Sequence, residues 1–275
     1  MVNNKKIKKD NCETDDNEND IDEIDYFVNK NKTITLNLPN IDNGDYPSVS
    51  IVTHTANKGE LFKLAVHQFL NFDYPRDKLQ WVILDYGKEK IKKYLNYADK
   101  SQLLYMTIDG NKNYNLGDLR NNCIKHGAHD IIVHMDDIIF YPKNSVNCRV
   151  KSLLKYFHKG VECVGCDNCL YYLINNNTCA NVFTEKNSLI ESSLCYTKRF
   201  WEKRNYTDAD NVDENINFLK NRIDKLIKIP NQFVLMILDY SKDDNNNKNN
   251  LNKEQKDYIE NILGEDVINI IYNKK

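Results

Sequence analysis

Short apolar runs alternate with amphipathic stretches along the first half of the chain. Four runs rich in β-branched residues predict buried strands, at residues 48–53, 79–85, 103–108 and 131–135. The stretches between them carry apolar residues near helical spacing and predict helices, at residues 58–72, 88–98 and 115–127. This alternation predicts an α/β fold of the Rossmann-like kind, with a mostly parallel sheet flanked by helices.

The second half of the chain has a less regular pattern. It predicts helices at residues 143–158, 197–204, 213–226 and 254–262, and strands within 161–184 and at 232–238.

Residues 1–46 alternate basic and acidic clusters with few apolar positions, so we expect a disordered or weakly ordered tail with one short strand near 33–38. The predicted organisation is this tail, one domain over 47–240, and an Asn-rich loop with a helix over 241–275. The domain divides into a regular half, 47–142, and a less regular half, 143–240.

Charge and hydropathy exclude several classes of protein. The 275 residues include 38 Lys+Arg and 40 Asp+Glu, so the formal charge of −2 offers no basic excess for nucleic acid. No apolar stretch is long enough to cross a bilayer, and the N-terminus has no apolar signal region. We therefore expect a cytoplasmic protein with reduced cysteines and no membrane insertion.

Polar residues follow several of the predicted strands. Asp136 and Asp137 come directly after the strand at 131–135, and residues 53–57 and 85–87 end or follow two others. Ligands of parallel sheets bind outside the carboxyl ends of the strands. Because Mg²⁺ is commonly held by one or two carboxylates together with phosphate oxygens, the pair suits a nucleoside diphosphate ligand. A solvated turn with Asp as a helix cap is the structural alternative.

Four segments, in this order, resemble the nucleotide-binding half of the family 2-type glycosyltransferases, which have the GT-A fold. They are PSVSIVTHTANKGELFKLAVHQFLNFDYP, LQWVILDYG, NLGDLRNNCIKHGAHDIIVHMDD and FYP. The Asn- and Lys-rich composition also resembles glycosyltransferases encoded by giant DNA viruses such as mimiviruses, for which the location would be the host cytoplasm.

The resemblance implies transfer of a sugar from a nucleotide-sugar donor to an acceptor, with Mg²⁺ or Mn²⁺ as cofactor. The acceptor could be a glycan, a protein or a small molecule. The resemblance also implies that Thr53, Thr55 and Asn57 line the nucleotide loop. Asp85 would lie at the base or ribose.

The same resemblance assigns roles around the acidic motif. Arg120 would face the diphosphate or brace the acidic loop, and Asp137, with Asp136 beside it, would bind the metal. The chain departs from the family pattern at Tyr86 and Ile138, and it lacks a late His ligand, for which Asp239 could substitute. These departures leave a second hypothesis open, that the chain is a degenerate glycosyltransferase that serves as a nucleotide-binding or assembly module.

Sugar transfer with inversion needs a carboxylate that accepts the proton of the acceptor hydroxyl. In the family that the chain resembles, this base comes from an acidic pair at a helix start, so the resemblance points to Asp213 and Glu214 at the start of the helix predicted at 213–226, with Asp208 and Asp210 as rivals. Favourable charge at a helix N-terminus is the structural alternative for the pair. The polar segment 205–213 could act as a lid over the acceptor.

Cys163, Cys166 and Cys169 suggest a different class, a metal-binding interaction protein, because thiols at this spacing can hold zinc or an iron–sulfur cluster. The same stretch also predicts a strand, in which residues three apart face opposite sides. Buried apolar cysteines are therefore the structural alternative.

Overall fold

The computed structural model describes residues 20–29, 33–96, 98–207, 214–240, 251 and 253–272. Its strands, in chain order, are β1 (Asp22–Glu23), β2 (Tyr26–Val28), β3 (Ile34–Leu36), β4 (Val49–Thr55), β5 (Leu79–Asp85), β6 (Leu103–Thr107), β7 (Ile131–His134), β8 (Ile139–Phe140), β9 (Cys163–Gly165), β10 (Asn168–Leu173), β11 (Thr178–Phe183), β12 (Cys195–Thr197), β13 (Leu226–Lys228) and β14 (Met236–Asp239). Its helices are α1 (Phe62–Asn71), α2 (Leu116–Lys125), α3 (Ser145–Phe157), α4 (Lys198–Lys203), α5 (Glu214–Leu219), α6 (Lys253–Leu263) and α7 (Glu265–Tyr272).

Most of the strands in the described residues belong to one twisted central sheet with the order β1-β13-β9-β12-β7-β4-β5-β6. Neighbouring strands are parallel except at β12, which runs antiparallel to both β7 and β9. The predicted α/β fold with a mostly parallel sheet is therefore confirmed. The reversed strand means that residues before β12 and residues after β7 lie at the same edge of the sheet.

A second sheet has the order β11-β10-β14-β8, and β2 and β3 form a separate hairpin. β8 follows β7 after only four residues, so the chain passes from the central sheet to the second sheet through residues 135–138. This short connection contains the two adjacent aspartates of the acidic motif.

The central sheet is covered on both faces, as its continuous apolar strands require. Along β5, Trp81 packs on the α1 side, where its ring stacks against Phe62 and Phe69 at centroid distances of 5.9 and 4.6 Å. The next residue, Val82, packs with Leu119 on the α2 side. Burying a large apolar side chain contributes about 1.5–3 kcal/mol, so these two layers fix the sheet between its helices.

Helix α2 forms as its sequence predicts. Asn115 caps its first turn by accepting a hydrogen bond from the Asp118 amide at 2.6 Å, and the chain leaves the helix at Gly127. Residues 88–98, in contrast, are predicted to be helical, but their described part, 88–96 and 98, has a 3₁₀ turn at Lys92–Tyr94 and no α-helix. The Asp85 carboxylate accepts hydrogen bonds from the Gly87 and Ile91 amides, and this side-chain bonding competes with helix formation.

The N-terminal region differs from the predicted tail over residues 20–29 and 33–46. There, β1 lies parallel to β13 at the edge of the central sheet, and Ile21 and Ile24 are buried. The two isoleucines stand in an acidic stretch, IDEID, with too few apolar positions to predict a strand. Ile21 and Ile24 become buried because β1 pairs with β13, a strand far along the chain, and the local sequence pattern does not show that pairing.

The C-terminal region contains α6, which the sequence predicts, and α7, which it does not. Both helices pack over the second sheet, where Ile259, Leu263 and Val267 are buried together with Phe140 of β8. Within the described part of the chain, no helix has the length and apolar character needed to cross a bilayer.

Candidate functional site

The acidic motif lies at the edge where the parallel strands β4, β5 and β7 end. Thr55, the last residue of β4, donates a hydrogen bond to Asp137 Oδ2 at 2.5 Å. Two residues earlier, Thr53 donates to the Met135 carbonyl at 2.7 Å and accepts from the Trp81 indole at 2.9 Å. Thr53 of β4 is therefore bonded to Trp81 of β5 and to Met135, directly after β7, below the site. Thr55 holds Asp137 directly.

The Asp137 carboxylate is almost fully enclosed, with 5% of the residue exposed. Burial raises its pKa to about 6, and Lys58 and Thr55 oppose that rise by favouring the charged form. The Lys58 ammonium lies 3.8 Å from Asp137 Oδ1. Lys58 was not among the predicted site residues.

Asp136 points to a second set of partners. Its Oδ2 atom accepts a hydrogen bond from the Ser192 hydroxyl and lies 3.9 Å from the Arg120 guanidinium, and its amide bonds to the Tyr141 hydroxyl at 2.9 Å. Burial opposes ionisation of Asp136, but Arg120, His54, the Ser192 hydroxyl and His134 together outweigh it and hold the pKa of Asp136 below its usual value. The Arg120 guanidinium thus lies beside the acidic loop, and bracing that loop stays one of the two roles that the resemblance implies for it.

Glu191 completes this buried network, and the sequence analysis missed it. Its Oε1 atom lies 3.1 Å from Arg120 Nε and 3.4 Å from His134 Nδ1, and it accepts a hydrogen bond from Tyr206. Glu191 precedes β12, whose reversed direction brings it to the edge where β7 ends. The local pattern does not reveal that direction, so Glu191 could not be selected from the sequence.

Two histidines lie beside the network as neutral rings. Burial, followed by the charge of Arg120, lowers the pKa of His54 to about 4, and the same two causes place the pKa of His134 well below its usual value. His134 Nε2 lies 2.6 Å from the Tyr196 hydroxyl. At neutral pH the positive charge in this cluster therefore comes from arginine and lysine.

Three loops that follow β4, β5 and β6 stack closely on one another. Asn57, with φ of 53°, accepts hydrogen bonds through Oδ1 from the Lys88 and Glu89 amides at 2.7 and 3.1 Å. A Cβ added at Gly87 would lie 2.5 Å from the Asn57 nitrogen, and one at Gly110 would lie 2.7 Å from the Gly87 carbonyl. Only glycine permits this close approach of backbones.

Asp85 supports these loops from below. Its carboxylate accepts hydrogen bonds from the Gly87 amide at 3.0 Å, the Ile91 amide at 2.9 Å and the Tyr105 hydroxyl at 2.7 Å, and the residue is fully buried. Both oxygens are therefore engaged inside the protein. Tyr86, the next residue, packs near His54 and against the ring of Tyr114.

The remaining predicted residues lie elsewhere. Asp239, at the end of β14, accepts a hydrogen bond from Tyr171 in the second sheet. Asp213 and its rivals Asp208 and Asp210 lie outside the described residues. Glu214 begins α5, and its side chain is not described.

The cysteine hypothesis receives no support from the described residues. Cys163, Cys166 and Cys169 are buried, and burial raises the pKa of each thiol. Across the described ranges, no group of three or more His, Cys, Asp or Glu side chains could hold a metal ion. The three cysteines behave as buried apolar residues of β9, β10 and their connection.

The same finding bears on the metal predicted at the acidic motif. Asp136, Asp137 and Asp239 do not form a three-carboxylate set in the described structure. Asp137 offers one carboxylate with a cation, the Lys58 ammonium, already beside it. A divalent cation at Asp137 would therefore need further oxygen ligands from a bound diphosphate and from water.

Solved structures share this fold. The mannosyltransferase PcManGT from Pyrobaculum calidifontis, solved in complex with GDP-Man and Mn²⁺, matches 74% of this chain and 60% of its own at 15% identity, with a TM-score of 0.55. Residues 1–349 of S. aureus TarS, solved in complex with UDP-GlcNAc, match 71% of this chain and 60% of their own at 9% identity, with a TM-score of 0.53. No family model matches the sequence, and no curated protein matches it at the sequence level.

These likenesses concern the fold, since the identities are low. The α/β architecture with its large, mostly parallel sheet is the GT-A arrangement, as the sequence predicted. The chain spans about 60% of the length of the structures it matches.

Proposed function

We propose that this chain is a family 2-like glycosyltransferase that transfers a sugar from a nucleoside-diphosphate donor to a glycan, protein or small-molecule acceptor. The observation that carries the proposal is the position of Asp136 and Asp137, between β7 and β8 at the carboxyl edge of a GT-A sheet. Structures of the same fold have been solved with GDP-Man and Mn²⁺ and with UDP-GlcNAc, which supports a donor of this chemical class.

The stacked loops supply a surface for the nucleoside. Asn57 and Gly87 hold the first two loops together, and Tyr86 offers an aromatic face beside Asp137. Thr53 and Asp85 act below this surface, because their polar atoms are engaged inside the protein. Thr55 is also buried, with its hydroxyl bonded to Asp137, so Asn57, which is exposed, is the residue of the predicted nucleotide loop that a ligand can reach.

Asp137 would hold Mg²⁺ or Mn²⁺ together with the donor diphosphate. When bound, the cation neutralises negative charge that develops on the leaving diphosphate. Arg120 and Ser192 fix Asp136, and Glu191 fixes Arg120, so the motif is oriented before the donor binds.

Transfer with inversion would proceed by direct displacement. The acceptor oxygen forms a bond to the anomeric carbon while the bond from that carbon to the diphosphate oxygen breaks, and the electron pair leaves with the diphosphate. The proton of the acceptor hydroxyl passes to a carboxylate base. We propose Glu214, which begins α5 in the acceptor-side half, or Asp213, its neighbour in the sequence, for this role.

Two measurements test the proposal on the full chain. Thermal shifts with UDP, GDP, CMP and dTDP, each with and without Mn²⁺, should show one nucleotide that stabilises the protein more strongly with metal. A ligand at a hundredfold excess over its Kd adds about 2.7 kcal/mol to the free energy of unfolding. Release of nucleoside diphosphate from the matching donor should be lost in Asp137→Asn and kept in Asp130→Asn, which alters the opposite end of β7.

A binding module without catalysis is the second candidate, because the described partners of Asp136 and Asp137 already include Arg120, Ser192, Lys58 and Thr55. That candidate predicts a thermal shift with a nucleotide but no release of diphosphate from any donor sugar. If no nucleotide binds with or without Mn²⁺, both candidates fail.

A further inference from the structure

Lys58 occupies a distinctive place beside the acidic motif. It lies in the turn between β4 and α1, with 31% of its side chain exposed, and its ammonium faces a carboxylate that is almost fully buried. Among the described residues it is the basic side chain within 4.0 Å of Asp137. The second cation of the cluster, Arg120, is buried and faces Asp136 and Glu191.

The position that Lys58 occupies is one that a divalent cation at Asp137 would also need. A metal ion and an ammonium near the same carboxylate repel each other, and the cost is appreciable at a partly buried site. Lysine carries a compact charge on a flexible four-carbon stem, so its ammonium can move to a neighbouring anion without any change of the backbone. A diphosphate brought to Asp137 would provide that anion.

We propose that Lys58 is a stand-in cation, which neutralises Asp137 in the free protein and moves its contact to the diphosphate when the donor binds. The inference rests on the proposed function, because it takes the donor diphosphate to bind at Asp137. It predicts opposite effects on two ligands. Lys58 disfavours a divalent cation that arrives alone, and it favours a nucleoside diphosphate.

The consequence is cooperative loading of the site. The free protein would bind the metal weakly, and the diphosphate would both draw Lys58 away and contribute oxygen ligands to the metal. Thr55 would remain as the hydrogen-bond donor to Asp137 while the cation is exchanged.

The test compares Lys58→Gln with Lys58→Arg, which keeps the charge, and with Lys63→Gln. Lys63 lies on α1 and pairs with Glu60, so its substitution removes the same charge nearby without touching Asp137. Binding of Mn²⁺ alone is measured by electron paramagnetic resonance of the free ion, and binding of UDP and GDP without metal by isothermal titration calorimetry.

Lys58→Gln should bind Mn²⁺ alone about three- to tenfold more tightly than the wild type, because the competing cation is gone. The same variant should bind metal-free UDP or GDP about tenfold more weakly, the loss expected for one charged hydrogen bond. Lys58→Arg and Lys63→Gln should both stay within about twofold of the wild type on each ligand, a difference of about 0.4 kcal/mol.

The inference is overturned if Lys58→Gln binds Mn²⁺ no more tightly than the wild type, or if its metal-free diphosphate affinity is unchanged. It is also overturned if Lys63→Gln has the same effects, since general charge would then explain them. A wild-type protein that binds neither UDP nor GDP, even with Mn²⁺, contradicts the proposed function instead. The Mn²⁺ measurement separates the two failures, because it involves no nucleotide.

Discussion

At the scale of single residues, Asp137 combines two conflicting demands. Its carboxylate must be charged to hold a cation, yet burial raises its pKa from 3.8 to about 6. The folded protein therefore loses stability as pH rises through this window, because the unfolded chain ionises Asp137 more easily. At about 1.4 kcal/mol per pH unit, the cost reaches about 3 kcal/mol above pH 6.

Asp137→Asn should accordingly stabilise the metal-free protein at pH 7.5 while abolishing donor turnover. The gain in the free energy of unfolding should shrink to about 1 kcal/mol at pH 4.5, where the native carboxyl is already mostly protonated. Urea denaturation in the presence of EDTA at the two pH values measures both gains. A variant less stable than the wild type at pH 7.5 would show that burial of Asp137 carries no such cost.

Glu191 and Arg120 permit a second test at the residue scale. The pair is buried at 3.1 Å, so Glu191→Gln removes a buried charged partner of Arg120 and should cost about 1–3 kcal/mol. A double-mutant cycle with Arg120→Gln should give a coupling energy above about 1 kcal/mol by chemical denaturation. Glu162→Gln, which loses an ion pair to the more exposed Lys203, should cost less than about 1 kcal/mol. A coupling energy near zero would remove Glu191 from the network.

At the scale of elements, the loops after the parallel strands depend on glycine. Gly87→Ala forces a Cβ into the Asn57 backbone, so the two loops must separate, and nucleotide binding should be lost with about 1–3 kcal/mol of stability. Gly44→Ala is a matched control, since a Cβ there meets nothing within 4 Å and its φ is not positive. Thermal shifts with and without nucleotide distinguish a loss of nucleotide binding from a loss of stability. Nucleotide binding that survives in Gly87→Ala would place the nucleoside away from these loops.

The elements also show what the sequence could predict. The strands β4, β5 and β7 were predictable because a sheet covered on both faces gives continuous apolar runs, and the acidic motif followed from the end of one such run. Helix α2 was predictable from its place between two apolar runs and its end near Gly127, whereas its cap at Asn115 was not predicted. Lys58 and Glu191 were not, because their roles depend on contacts between distant segments. For Glu191 the decisive fact is the reversed direction of β12, which a three-residue strand does not reveal.

At the scale of the whole molecule, residues 20–29 belong to the folded body. Ile24 is 2% exposed although it comes from a charged stretch, so Ile24→Ala should cost about 2–4 kcal/mol. Phe27→Ala, three residues later in the same segment, removes a larger side chain that is 52% exposed and should cost less than about 1 kcal/mol. Chemical denaturation of both variants measures the difference. Equal costs would mean that β1 adds nothing to the stability of the central sheet.

The acidic motif lies in the short connection through which the chain leaves one sheet and enters the other. β7 on one side of it pairs with β12, and β8 on the other side pairs with β14, so both strand pairs join the regular half to the less regular half. A ligand bound at Asp136 and Asp137 would restrain both strand pairs, β7 with β12 and β8 with β14, at once. Amide hydrogens of β12 and β14 should then exchange more slowly with deuterated solvent when the donor is bound, although neither strand supplies a residue of the acidic motif.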